Sequence, residues 1–324
     1  MHDDLQFVGL DVGGTTMKAG VVDGQGRPYS NISVPTEAQR GQDWGLEQMC
    51  VAIRQAVSAA NLALADIAAI GVATPGLMDI PGGLIVDPPN LKPWKNVPVR
   101  QHVADTFKLP TAFQNDANAA AMGEYWAGAG QEVNSMVLFT LGTGVGGGIV
   151  IGDQVLEGKH SHGGELGHMK VEPRNGRLCG CGKRGCLEQY GSASAVTARL
   201  RELLATRPEP SALRTLETFS AREVFAAANA GDVLATQIVD ETAFYLALGA
   251  ANVIAVVDPE MIVFGGGMVK AGEGFLERIR HHLAIVGLPI PVSRVIVRAA
   301  RLGNDAGFIG AAGCARQLLR TLHK

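Results

Sequence analysis

Apolar residues follow two rhythms along this chain. FVGL at 7–10, IAAIGVAT at 67–74 ahead of Pro75, and MIVF at 261–264 are continuous apolar runs, the pattern of strands buried on both faces. From Gly45 the rhythm changes, and Leu46, Met49, Cys50, Ile53 and Val57 recur on one helical face. LPTAFQ at 109–114 reads as another strand, and NDANAAAMGEYWAGAG opens a helix, with Asn115 or Asp116 as its natural N-cap. Between Pro75 and Pro98 the Pro/Gly-rich composition predicts loop. Helices are expected up to about Val257, and a last helix from roughly Gly307 to Leu322.

Two glycine-rich segments share a plan. FVGLDVGGTTMKAGVVD and VLFTLGTGVGGGIVIGD each show an apolar strand, a Gly/Thr turn, a small-residue stretch, a second apolar strand and an Asp. Both read as β-hairpins, the first with its second strand at 21–23. They lie about 130 residues apart, which points to an internal duplication with one copy per half. The plainer alternative is two unrelated hairpins in a glycine-rich chain. A duplication implies two similar domains facing each other across a cleft.

Composition narrows the class. The chain has 324 residues, 47% hydrophobic and 18% charged, with a net charge of −3. Such a balance is that of an ordinary globular protein and gives no footprint for nucleic acid or anionic lipid. The longest apolar stretch, Phe244 to Val257, carries Asn252 and is too short to span a bilayer. The acidic start, MHDDLQF, is not that of a signal peptide. A cytoplasmic protein with no membrane or nucleic-acid partner is the expectation. With 42 glycines, any single Gly-rich match is weak without context.

Three places can carry chemistry. A tight Gly/Thr turn presents converging N–H groups to an anion. DVGGTT offers one, with Gly13, Gly14, Thr15 and Thr16 beside Asp11 and Lys18, and LGTGVGGG another, with Gly142, Thr143 and Gly144. Neither is a P-loop, and neither leads into a helix as a Rossmann turn does. Together with the close-approach turn at Gly265, Gly266 and Gly267 they favour a nucleotide, against the reading of plain structural turns. Asp116, where a strand meets a helix, is the candidate base, although a simple helix cap has the same local signature. The third place is His168-x10-Cys179-x-Cys181-x4-Cys186. One imidazole and three thiolates are the ligand set of a closed tetrahedral Zn²⁺ site, whose metal would be structural and stiffen its loop; a redox pair or unrelated cysteines is the alternative reading. The metal would hold Glu165 and Glu188 rigid, while His160 and His162 read as surface residues. Cys50 and Cys314 read as small buried hydrophobes.

DVGGT, PG at 75–76, PN at 89–90, ND at 115–116, LGTGVGGG, GELGH and CGCGKRGCLE occur together and in order. The set resembles the ROK family (repressor, open reading frame, kinase) over essentially the whole chain, and looks most like its bacterial glucokinases. The resemblance implies a two-domain actin-like (ribonuclease H-like) α/β ATPase fold closing on ATP and a hexose. It divides the chain into a small domain, 1–117, with the C-terminal helix at about 307–324 packing back on it, and a large domain, 118–306, with the zinc loop. It makes Asp116 the catalytic base. Asn90, Asn115, Glu165, His168 and Glu188 become sugar-binding positions, with Gly76 on the same side and His168 serving both metal and sugar. Gly13–Thr15 and Gly142–Gly144 become the phosphate loops, and Asp11, Lys18, Gly265 and Gly266 join the nucleotide site. The implied reaction is Mg²⁺-dependent transfer from ATP to the C6 hydroxyl of glucose by a homodimer. N-acetylmannosamine, fructose or allose as acceptor, polyphosphate as donor, and a non-catalytic sugar sensor stay open as alternatives. The few residues ahead of Asp11 lead one to expect no DNA-binding N-terminal domain of the kind some family members carry.

Overall fold

The continuous apolar runs become inner strands of two sheets. The computed structural model describes residues 5–322. The chain divides into two units, Met1–Met136 with Gly148–Gly164 and Arg301–Lys324, and Val137–Gly147 with Glu165–Ala300.

In the first unit β1 (Gln6–Val12) runs antiparallel to β2 (Thr16–Val22), and β2 to β3 (Ile32–Pro35). Strand β4 (Ile67–Thr74) lies parallel to β1 on its other side. Helix α1 (Gln42–Ala59) buries Leu46, Met49, Cys50, Ile53 and Val57, the face its spacing predicts. Strand β2 begins at Thr16, well before the strand expected at 21–23. Its first half, Thr16–Gly20, has Met17 as its one large apolar residue among small and polar ones, and Met17 and Ala19 face the core.

The segment expected to be loop up to Pro98 contains a hairpin, β5 (Leu77–Asp79) with β6 (Leu84–Asp87). One buried residue on each strand, Met78 and Ile85, seats it on the core. Arg100, from α2 (Val99–Phe107), donates to the Ile80 carbonyl at 2.7 Å, and the Ser161 hydroxyl accepts the Ile80 N–H at 2.9 Å. Strand β7 (Thr111–Asn115) completes the order β3-β2-β1-β4-β7 and runs without a loop into α3 (Asp116–Ala127).

The second sheet has the order β10-β9-β8-β11-β12. Its strands are β8 (Ser135–Leu141), β9 (Val145–Ile151), β10 (Gln154–Val155), β11 (Met261–Gly265) and β12 (Ile296–Ala299). Setting the β5–β6 hairpin aside, each sheet runs third, second, first, fourth, fifth in its own chain order. That repeat is what the duplicated hairpins lead one to expect of an actin-like fold.

The second unit carries α4 (Glu188–Gly191), α5 (Ala193–Thr206), α6 (Ala221–Asn229), α7 (Val233–Val257), α8 (Glu273–Val286) and α9 (Pro289–Arg294). Helix α7 takes in the apolar stretch at 244–257 and is longer than that stretch alone suggested. By length and composition it is the one helix among the described residues able to cross a membrane. Leu234, Ile238, Leu246, Val253 and Ile254 are nevertheless buried, and the helix packs on α5, α6 and α8.

The chain returns to the first unit for α10 (Ala306–Leu322), which lies on α3, β1 and β4. The contact is backbone to backbone. A Cβ on Gly9 of β1 or Gly71 of β4 would collide with the α10 carbonyls of Phe308 and Ala311, so only glycine permits this approach.

Candidate functional site

In the first unit the site is built where β7 becomes α3. Asn115 leaves the strand in extended conformation, and its side-chain oxygen accepts the N–H groups of Ala117 at 2.9 Å and Asn118 at 3.2 Å. Asn115 is therefore the N-cap, worth about 1 kcal/mol to such a helix, and Asp116 is the first helical residue. Gln114 stands behind them, 2% exposed. Its carbonyl oxygen accepts from the Asn115 N–H at 2.8 Å and the Asn118 amide at 3.2 Å, while its own amide donates to Glu157 at 2.8 Å. The sequence reading passed over Gln114, because a neutral residue ending a strand carries no chemical signal.

Asp11 sits at the end of β1, its carboxylate against Gly307 of α10, where a Cβ would collide with it. Burial pushes its pKa up to about 7; the charge of Asp116 adds to this, and Lys18 opposes it. The two carboxylates thus feel one another. The following turn is well tied: Gly13 N–H donates to Thr16 O at 2.9 Å, the Thr36 hydroxyl to Gly13 O at 2.7 Å, and Thr36 N–H to Thr15 O at 2.9 Å. Gly14 and Thr15 are exposed, and Gly14 abuts the backbone of Asn90. Gly76, at φ +96° and against Pro88, tolerates no side chain and lets the Asn90 segment lie close. Lys18 pairs with the Asp305 carboxylate and donates to Asn304 O at 3.3 Å, so its charge is already engaged.

In the second unit the Gly142–Gly144 turn opens onto a cavity of about 730 Å³. Gly142 and Thr143 line it, with Ser220, Arg222, Phe225 and Asn229 from the start and face of α6, and Gly267 and Lys270 beyond β11. Gly265 and Gly266 do not line it; Gly266, at φ +91°, lets the chain pass over the backbone of Leu141 and delivers Gly267 to the wall. The α6 contribution was missed, although its start has a readable signal. Ser220 and Glu223 form a capping box, the S-x-x-E pattern that marks a helix N-terminus.

The cysteine loop gathers His168, Cys179, Cys181 and Cys186, whose donor atoms all lie within 4.8 Å of one another. Cys181 Sγ is 3.7 Å from Cys186 Sγ, and Cys179 Sγ is 3.8 Å from His168 Nδ1. A tetrahedral zinc ion with arms of about 2.3 Å to sulfur sets ligand-to-ligand edges of about 3.8 Å, so the donor set fits. Without a cation, burial pushes the Cys179 thiol up to about 12. The ammonium of Lys170 donates to Cys186 Sγ at 2.8 Å, which suits a thiolate. Gly182 and Gly185, both at positive φ, fold the chain round the four donors. His160 and His162 stand outside the group; the His162 ring meets the His160 carbonyl instead.

Around this loop, Glu165 faces His168 Nε2 at 3.9 Å, and both side chains are partly exposed. Glu188 opens α4, and its Oε2 accepts the Val145 N–H at 3.1 Å. The first unit thus carries Asn90, Asn115 and Asp116 with one Gly/Thr turn, and the second carries Glu165, His168 and Glu188 with the other.

The family described as the ROK family matches residues 7–318. A glucokinase of Halalkalibacterium halodurans is 36% identical over 324 residues, covering 99% of this chain and 98% of that protein. The structure of a ROK hexokinase from Thermus thermophilus is similar at a TM-score of 0.85 and 34% identity, covering 98% of this chain and 100% of that one. A ROK family glucokinase from Streptomyces griseus, solved in complex with glucose and AMPPNP, is similar at a TM-score of 0.77 and 34% identity, covering 96% of this chain and 99% of that one.

Proposed function

The chain belongs to the ROK family, and from that premise we propose that it transfers the γ-phosphoryl group of ATP to the C6 hydroxyl of glucose, giving glucose 6-phosphate and ADP. The observation that carries this reading is the Streptomyces griseus relative, which holds glucose and an ATP analogue at 34% identity over nearly the whole chain. The side chains described above supply the chemistry such a reaction needs.

Asp116 takes the proton of the attacking hydroxyl as the oxygen closes on the γ-phosphorus in line. Its position at the start of α3 is fixed by the Asn115 cap and, behind it, by Gln114. The donor enters as its magnesium complex. The Gly13–Thr15 and Gly142–Gly144 turns take the phosphates through the N–H groups of Gly14, Thr15, Thr143 and Gly144, since those of Gly13 and Gly142 close the turns themselves, and the 730 Å³ cavity takes the nucleoside. Asp11, Lys18, Gly265 and Gly266 act from behind these turns, Lys18 by way of its Asp305 pair. Little covalent chemistry is asked of the protein, so orientation and charge stabilisation supply most of the acceleration.

The sugar is held by Asn90, Asn115, Glu165, His168 and Glu188, with Gly76 shaping the segment that presents Asn90. The cap uses the Asn115 oxygen and leaves its NH₂ for a hydroxyl. His168, Cys179, Cys181 and Cys186 bind one structural zinc ion, whose part is to hold the imidazole and the two glutamates in place. We place the enzyme in the cytoplasm, as a homodimer acting at the entry of glucose into metabolism.

A panel of glucose, N-acetylmannosamine, fructose, allose and mannose, assayed by ADP release, tests the substrate. Glucose should give the highest kcat/KM. A higher value for another sugar replaces glucose as the substrate, and sugar-independent ADP release throughout removes the kinase reading.

A further inference from the structure

Glu188 touches three things at once within the second unit. Its Oε2 accepts the N–H of Val145 at 3.1 Å, at the end of the Gly142–Gly144 turn. A Cβ on Gly144 would run into that same oxygen, so the turn and the carboxylate are in van der Waals contact. Its other oxygen lies 3.7 Å from Cys179 Sγ, one of the four clustered donors. The backbone leads the same way, since Glu188 follows Cys186 by two residues and Leu187 N–H donates to Met169 O at 2.8 Å, next to His168.

The turn has few other restraints. Gly142 N–H donates to Gly144 O at 3.1 Å, and Ala193 N–H, at the start of α5, donates to Gly142 O at 2.9 Å. Two of its three residues are Gly, so the turn has little intrinsic rigidity. Beside the Ala193 bond, Glu188 supplies a side-chain anchor where the turn enters β9.

We propose that Glu188 is a positioning residue for the donor turn as well as a ligand for the sugar, so that nucleotide affinity depends on Glu188 and on the metal clip even when no sugar is present. The inference rests on the reading of the Gly142–Gly144 turn as a phosphate loop. Charge alone argues the opposite sign, because a carboxylate beside an anion site repels phosphate. Glu188 is partly exposed, however, and a charge in contact with water is heavily screened, whereas losing a charge-assisted bond to a turn N–H loosens the turn itself. Positioning therefore wins over repulsion.

The test is the affinity of the magnesium complex of AMPPNP for sugar-free protein, measured by calorimetry on wild type, Glu188→Gln, Glu188→Ala, Glu165→Gln and metal-extracted wild type. Glutamine keeps an acceptor oxygen for the Val145 N–H and alanine does not. Wild type and Glu188→Gln should agree within about twofold, and Glu188→Ala should bind about tenfold more weakly, the range of one lost charge-assisted bond. Glu165→Gln, beside the sugar but with no bond to the turn, should bind nucleotide like wild type. Metal extraction should weaken binding in the same direction as Glu188→Ala. If alanine prevents folding, Glu188→Leu removes the acceptor and keeps the bulk. Unchanged affinity in Glu188→Ala, tighter binding in both Glu188 variants, or equal weakening in Glu165→Gln overturns the proposal while leaving the kinase reading intact. Wild type that fails to bind AMPPNP overturns the kinase reading instead, and the proposal with it.

Discussion

The Nδ1 atom of His168 lies 3.8 Å from the sulfur of Cys179, while Nε2 of the same ring lies 3.9 Å from the carboxylate of Glu165. One ring nitrogen thus faces the cysteine cluster and the other faces Glu165, which the proposed function makes a sugar ligand. Fixing the ring through Nδ1 fixes what Nε2 can donate to.

Metal extraction should therefore act on sugar affinity before it acts on the fold. One zinc ion per chain is expected by elemental analysis of the purified protein, and its removal should raise the glucose KM roughly tenfold or more, the scale of a small misplacement of positioning groups. Restoring zinc should restore KM. A metal-free protein with unchanged KM contradicts the proposed role of the clip.

Asp116→Asn keeps the shape of the first turn of α3 but cannot take a proton. Turnover should fall by about 10²- to 10⁴-fold, with the glucose dissociation constant little changed, as read by calorimetry beside steady-state kinetics. A variant that loses sugar binding and rate together would mark Asp116 as a sugar ligand first and a base second.

Asp11 makes a pH prediction. Its folded pKa, about 7, is raised above the ordinary 3.8 by burial and by Asp116. A carboxyl with a raised folded pKa contributes stability that is fully present below about pH 4 and is lost as pH rises through about 7. Asp11→Asn cannot ionise, so its melting temperature relative to wild type should climb between pH 4 and pH 8 and then level off. A gap that does not change with pH would show that Asp11 ionises as freely as in the unfolded chain.

Glu124 lies fully buried in α3, and its carboxylate accepts three backbone N–H groups: Ala129 at 2.9 Å, Arg301 at 3.0 Å and Leu302 at 2.7 Å. These bonds tie the end of α3 to the strand of chain that returns from the second unit. Glu124→Ala leaves the three donors without their acceptor and should cost about 3 kcal/mol or more in denaturant unfolding, at about 1–3 kcal/mol for each donor that water cannot reach. Glu124→Gln, which keeps one acceptor oxygen, should fall between the two. A loss under about 1 kcal/mol in Glu124→Ala would mean that water reaches those groups.

Much of the fold is legible in the sequence. Strands β1, β4 and β11 are continuous apolar runs, the α1 face keeps helical spacing, and the four metal-cluster donors lie within a few turns of chain. What escaped was either small or distant. The first half of β2 hides in small residues, and the β5–β6 hairpin hides in Pro/Gly composition because one buried side chain per strand suffices to seat it. Ser220 through Asn229 and Gly267 to Lys270 meet the Gly142 turn from about 80 to 130 residues away. No local pattern encodes such a meeting. Gln114 escaped for another reason: its role is entirely in its hydrogen bonds, which only the fold reveals.

The central claim is phosphoryl transfer to the C6 oxygen of glucose, and the identity of the product tests it most directly. Purified protein with glucose and magnesium ATP should yield a product that glucose-6-phosphate dehydrogenase oxidises mole for mole with the ADP formed, and Asp116→Asn should yield almost none in the same time. ADP formed without glucose 6-phosphate, or a phosphorylated sugar that the dehydrogenase does not accept, would contradict the account.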